Sequence, residues 1–218
     1  MNRMLLTAGT IFVLGALAGA AAVSIAAPEL NLRGDRFRPL KYEELNPAQK
    51  ALADRDLAAP SRSGGGPLNI YLRSPEFAEL ARPLSNYLRF KSPFPEKLKE
   101  LAIMLTARAW GGTYVWYSHR AFAIKAGLSE ALIQSLVRGE RPTGMDEGES
   151  ITYDFVTELL QKRQVSDATY KTFVDRFGER DVVDLVALVG SYHTASMLFV
   201  VERYPLPNGA KSEIEKPM

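Results

Sequence analysis

Residues 100–119 read ELAIMLTARAWGGTYVWYSH. Glu100 stands at the head of an apolar run in which Leu98, Leu101, Ala102, Leu105 and Ala109 recur at helical spacing, which predicts a helix over about 96–109. Gly111-Gly112 interrupts the run, and a second helix over about 113–126 carries His119. The pattern is helix, break, helix, with a carboxylate and an imidazole able to meet across the break. The chain has two histidines, His119 and His193, and no cysteine.

Similar signals extend in both directions. Asn46-Pro47 reads as cap and first position of a helix within about 43–56, with Leu45, Ala48 and Leu52 on one face. Ser74-Pro75 opens another, whose stripe is Phe77, Leu80, Ala81, Leu84 and Leu88; Pro83 inside it should kink or shorten it. Toward the C-terminus, Gly127 stops the second helix of the pair and Ser129 caps a helix over 130–138. A turn-rich linker covers 139–147, and a helix with Ile151, Phe155, Leu159 and Leu160 covers 148–163. Ser166-Asp167 starts a short helix that ends at Gly178. A long apolar helix spans about 179–202, ended by Tyr204-Pro205-Leu206-Pro207. No alternating run calls for a sheet, so the expected fold is all-α, a compact helical bundle. VVDLVALVGSYHTA in the second half echoes 100–119 too weakly to read as a repeat.

The 218 residues are enough for one domain with a sizeable core. Apolar residues make up 46% and charged residues 24%, as in globular proteins. A net charge of +2, from 27 basic and 25 acidic residues, gives no basic stripe for nucleic acid. Without cysteine, disulfides, thiolate catalysis and thiolate metal sites are excluded. The histidines and carboxylates have no metal-ligand spacing, and there is no P-loop, no GxGxxG after a strand and no GxSxG.

Residues 1–27 differ from the rest. After Arg3, the run from Met4 to Ala27 carries no charge. A basic start, an apolar middle and Ser24-Ile25-Ala26 at its end follow the pattern of a signal peptide. The run is also long enough, at about 1.5 Å per residue, to anchor the chain across roughly 30 Å of hydrocarbon. Gly15 and Gly19 add a weak GxxxG. Arg33, Arg36, Arg38 and Lys41 follow the run, against the usual charge bias of an anchor with its N-terminus inside. Both readings put the rest of the chain outside the cytoplasm, periplasmic or otherwise exported, with residues 4–27 as the one membrane contact if they are not removed. The expected organisation is a leader at 1–27, an extension with one helix and a Gly-rich loop at 28–67, a helical domain at 68–207 and a charged, frayed tail at 208–218.

The stretch 96–129, from the helix carrying Glu100 to HRAFAIKAGLS, resembles the carboxymuconolactone decarboxylase / alkylhydroperoxidase D-like family. The likeness extends over about 68–207, through LNIY with helix 75–90 and through SDATYKTFVDRFGERDVVDLVALVGSYH followed by YPLP. It implies an all-helical fold and assembly as a trimer or hexamer. In the family's peroxidase branch a glutamate precedes a CxxC pair and a histidine. Counted from Glu100, the cysteine positions fall on Gly112 and Val115 and the histidine on His119. The resemblance therefore points to the decarboxylase-like branch, without thiol peroxidase chemistry.

His119 is the leading catalytic candidate, because imidazole gives and takes protons near neutral pH. The bland alternative is a histidine hydrogen-bonded at a helix contact. Glu100 could orient and charge-stabilise it; the alternative is a solvated carboxylate near a helix start, as Glu96 more plainly is. Tyr114 matches a tyrosine between the family's cysteines and could donate a hydrogen bond, although it lies about 140° from His119 around a helix. Gly112, Val115 and Trp116 would line a small apolar pocket on the histidine's face, with aromatic core packing as the alternative for Trp116 and Tyr117. Arg108 and Arg120 are candidates to hold a substrate carboxylate, or exposed helix arginines. His193 is a second proton-transfer group or a core histidine, the latter favoured. The function expected is cofactor-free acid/base decarboxylation or lactone processing, on a small carboxylate or lactone, in an exported homo-oligomer. The alternative is a non-catalytic exported or tethered binding scaffold.

Overall fold

A computed structural model describes residues 27–58 and 67–214 of the chain. The leader read over 1–27 (apart from Ala27) and the Gly-rich loop at 59–66 lie outside the described residues. The described residues form helices joined by turns, with no strand among them. In chain order the helices are α1 (Pro47–Ala58), α2 (Leu68–Tyr71), α3 (Pro75–Phe90), α4 (Glu96–Trp110), α5 (Thr113–Lys125), α6 (Glu130–Arg138), α7 (Glu147–Lys162), α8 (Asp167–Phe177) and α9 (Glu179–Glu202). The all-α expectation holds.

The central element is α4. Every residue from Leu98 to Ala107 is buried, because α5, α6, α7 and α9 surround it. The long helix α9 packs on α3, α4, α5 and α8. By length and hydropathy α9 alone among the described helices could cross a membrane; its packing makes it a core helix of the bundle. Local signals set the ends. The side chains of Ser129 and Ser166 accept from Leu132 N–H and Thr169 N–H, and Asp146 with Glu149 forms a reciprocal capping box on α7. Asn46 and Gln49 do the same at the start of α1, each side-chain oxygen accepting the other's backbone N–H.

Helix α3 differs from its sequence reading. It runs unbroken through Pro83. Pro83 and Glu79, whose carbonyl loses its partner, both lie on the exposed face, where water can satisfy that carbonyl. Ser74 stands at the cap position without a side-chain bond. Of the expected core stripe, Leu88 is buried, but Phe77, Leu80 and Leu84 are exposed; Pro75 and Ala78 are buried instead. A 3.6-residue period shows that a face is apolar, not which neighbour covers it. Ala48 on α1 is likewise exposed, while Leu45, Leu52 and Ala53 are buried.

The extension and the tail are both docked. Glu202, fully buried at the end of α9, accepts from the backbone N–H groups of Asp35 and Phe37 at 2.8 Å each. Asn69 donates to the carbonyls of Arg33 and Phe37. Gly34 passes so close that a Cβ there would lie 2.7 Å from Glu202 Oε1 and 2.3 Å from the Phe37 carbonyl oxygen. Leu30, Leu45, Leu52, Ala53, Leu68, Leu72 and Ala78 form a second, smaller core under α1. The tail expected to fray from Asn208 instead returns to the bundle: Ile214 is buried, and Glu213 bonds to α5.

Candidate active site

The α4–α5 hairpin brings Glu100 and His119 together. Gly111 ends α4 in the left-handed region at φ 61°, and the Gly112 N–H donates to the Ala107 carbonyl at 2.8 Å. The chain then reverses, and α5 returns along α4. A Cβ on Gly112 would stand 2.8 Å from Ser196 Oγ and 3.0 Å from Ser196 Cβ on α9. The residue at the break must therefore be glycine for α9 to pack as it does. Glu100 and His119 lie roughly 16 and 12 Å along their helices from this turn, and their side chains meet: His119 Nδ1 is 2.8 Å from Glu100 Oε2.

Both groups are buried, His119 at 7% and Glu100 at 4% exposure. A carboxylate accepts only, so Nδ1 carries the proton and Nε2 the lone pair of the neutral ring. Burial pushes the imidazole below its ordinary value. The hydrogen bond and charge of Glu100 pull it up, and the positive charge of Arg89 lowers it further. The resting ring is neutral, with a base at Nε2 and a carboxylate ready to stabilise the imidazolium.

Two aromatic rings frame the imidazole. Tyr192 of α9 meets it edge-on, with centroids 4.9 Å apart and planes at 87°, and Phe122 lies 5.8 Å away. Burial pushes the Tyr192 phenol up, so it is protonated throughout the neutral range. Arg89, on the last turn of α3, lies over the Phe122 ring.

The other residues expected at the site are elsewhere. Tyr114 stacks with Phe199 and Tyr204, at 4.6 and 4.7 Å, and Arg33 lies over its ring. Trp116 is buried, and its indole N–H donates to Glu213 Oε2 at 2.8 Å. Val115 is buried in the core cluster, and Gly112 is closed off by Ser196. Arg108 donates through Nε to the Leu136 carbonyl. Arg120 is held by Glu213 and Glu130. His193 accepts at Nδ1 from the Trp110 indole at 2.8 Å, so it serves a helix contact. Among the described residues no three His, Asp or Glu side chains come together as a metal cluster. Two surface cavities, of about 240 and 300 Å³, lie beside Pro28–Leu32 with Pro39–Tyr42 and beside Gly111, Phe199 and Tyr204, away from His119.

No family model matches the chain, and no curated protein does. Solved structures do match. One is the alkylhydroperoxidase AhpD core of an uncharacterised peroxidase-related protein from Ralstonia eutropha. It is 13% identical, with a TM-score of 0.67 over 83% of this chain and 97% of that one. Another is a protein of unknown function from Agrobacterium tumefaciens, assigned provisionally to antioxidant defence as AhpD. It is 20% identical, with a TM-score of 0.56 over 64% of this chain and 96% of that one. The chain has the AhpD-like fold. At these identities the likeness extends to the fold alone.

Within this AhpD-like bundle, sequence reading brought Glu100 and His119 together and overlooked Arg89 and Tyr192. Tyr192 is one residue from His193 but about 100° around α9, and it, not His193, faces the site. Arg89 had the pattern of a solvated arginine at a helix end. Only the packing of α3 on α9, with Lys99 of α4 bonded to the Arg89 carbonyl, brings its charge near His119.

Proposed function

We propose that the chain is a proton-transfer enzyme acting on a small organic carboxylate or lactone without a cofactor, by decarboxylation or lactone processing. The observation that carries this reading is the buried His119–Glu100 pair, with a neutral imidazole whose Nε2 is the free nitrogen. With no cysteine among the 218 residues there is no thiolate to attack a peroxide.

Decarboxylation of a conjugated lactone acid needs little else. The bond from the ring carbon to the carboxylate breaks, its electron pair passes into the conjugated system, carbon dioxide leaves, and one proton is taken up at carbon. His119 supplies that proton through Nε2 and regains it from water. A bound anion raises the pKa of a neighbouring imidazole, so the substrate's own charge arms the proton donor. Glu100 holds the ring in orientation and balances the imidazolium charge.

We also propose export, with residues 1–27 as signal or anchor, and assembly of several copies. The leader, with a basic start and no charge from Met4 to Ala27, and the exposed Phe77, Leu80, Leu84 and Phe90 on α3 support these readings.

The test is His119→Gln, which keeps an N–H for Glu100 but cannot carry a proton. A panel of lactone acids and aromatic carboxylates is assayed for released carbon dioxide. Turnover by the unmodified protein that falls at least about 100-fold in the variant, with the circular dichroism unchanged, is the expected result. Equal turnover by both ends the assignment. Binding without turnover favours a second reading, a non-catalytic scaffold.

A further inference from the structure

Arg89 is held in place but its charge is not used. Lys99, itself buried, donates from Nζ to the Arg89 carbonyl at 3.1 Å and to the Ser92 carbonyl at 2.8 Å. Ser92 Oγ in turn donates to Asp184 at 2.7 Å. These bonds tie the end of α3 to α4 and α9. The guanidinium, by contrast, makes no hydrogen bond or ion pair among the described residues, and its Nε is buried without an acceptor. It is flanked by two rings, with Cζ 4.7 Å from the centroid of Phe90 and 5.5 Å from that of Phe122. The same Phe122 ring lies 5.8 Å from His119. Phe90 and Phe122 are both exposed, at 68% and 46%.

The side chain is half-buried, and its buried Nε, a donor without an acceptor, calls for a partner. The partner that fits is an anion with an apolar, planar body. A carboxylate matches the donor fork of a guanidinium, and a flat conjugated skeleton matches an exposed phenyl face. The two arginines on the hairpin itself are engaged, Arg108 by the Leu136 carbonyl and Arg120 by Glu213 and Glu130. We propose that Arg89 and Phe122 form the seat for the carboxylate of a planar aromatic or conjugated acid, whose skeleton is thereby directed at His119. This deepens, and rests on, the reading of His119 and Glu100 as a proton-transfer pair.

The experiment uses the full chain and benzoate as probe, read by NMR of the two histidine rings. Benzoate shifts the His119 ring resonances saturably and leaves those of His193 in place. Benzamide, the same shape without charge, and inorganic phosphate at equal concentration leave both rings unmoved. Arg89→Gln weakens the benzoate response at least tenfold, and Arg89→Lys, which keeps the charge but not the fork, lies between. The seat is overturned if benzoate leaves His119 unmoved, if benzamide or phosphate matches it, or if Arg89→Gln binds within twofold of the unmodified protein. Should Arg89→Gln fail to fold, Arg89→Lys and the comparison of benzoate with benzamide still decide. A benzoate response lost in Arg89→Gln, together with turnover undiminished in His119→Gln, keeps the seat and removes the proton-transfer reading. The reverse pair of results removes the seat and keeps that reading.

Discussion

His119 Nδ1 donates to Glu100 Oε2 at 2.8 Å across the α4–α5 hairpin, and both side chains are buried. The two partners are not equivalent. One is a neutral ring in its resting state, the other a buried carboxylate whose hydrogen-bond donor is that ring.

Removing the donor therefore costs more than removing the acceptor. His119→Ala leaves Glu100 buried without its partner and destabilises by about 3–5 kcal/mol. Glu100→Ala leaves a neutral imidazole N–H unpaired, at about 1–3 kcal/mol. Urea unfolding of both variants at neutral pH checks the order; equal losses would contradict it.

Stability also depends on His119 through pH. In the unfolded chain a histidine titrates near about 6.5, and in the native state burial holds His119 lower. Between those two values the unfolded chain binds the extra proton, so stability rises with pH across that window. The contribution is complete above about 6.5 and is lost as pH falls toward the native value. His119→Gln removes this component while leaving the other carboxylates and histidine to cancel in the difference. A difference between the two proteins that is flat with pH would show that the ring does not titrate as described.

Gly112 is held under Ser196 by close approach. Gly112→Ala forces α9 away from the hairpin and costs about 1–3 kcal/mol. Ser196 Oγ is buried without a partner, so Ser196→Ala alone is near neutral or stabilising. Ser196→Gly in the Gly112→Ala background recovers part of the loss, because the clash needs both side chains. Thermal melts of the unmodified protein, Gly112→Ala, Ser196→Gly and their double variant give the coupling directly, and strictly additive effects would rule out the contact as the cause.

Glu202 anchors the N-terminal extension by accepting from Asp35 N–H and Phe37 N–H. Glu202→Ala strands both donors, at about 1–3 kcal/mol, and releases the segment around Gly34 before it loosens the bundle. Hydrogen exchange reads this locally: the amides of Asp35 and Phe37 speed up, while those of α4 hold. Uniform acceleration across α4 would instead make Glu202 part of the main core's stability.

Much of the architecture is legible without coordinates. The capping serines at 129 and 166 and the glycines at 111, 127 and 178 mark helix ends that the structure keeps within a residue or two. These are local signals, settled by backbone hydrogen bonds within a few residues. The pairing of Glu100 with His119 was also foreseeable, because a glycine break between two apolar helices leaves few ways to turn. What was misread involves contacts between distant segments. Of the apolar stripe on α3, Leu88 is buried but Phe77, Leu80 and Leu84 are exposed. The tail was expected to be loose, yet Glu213 reaches Trp116 and Arg120. Arg108 and Arg120 were candidates for a substrate's charge, and both are occupied by partners remote in sequence.

The amino-acid order dictates an all-helical chain, the hairpin that carries an acid and an imidazole, and the exclusion of thiol chemistry, since each depends on residue type and short-range spacing. Tertiary packing decides which charges serve the site. Arg89 lies over the Phe122 ring beside His119, and Tyr192 rather than His193 faces it, because α3 docks on α9 and α9 docks on α4 with particular faces. Hydrophobic burial is proportional to area and indifferent to direction. An apolar period thus tells a helix to pack, while the shapes it meets, such as Gly112 beneath Ser196, determine where its polar side chains end up.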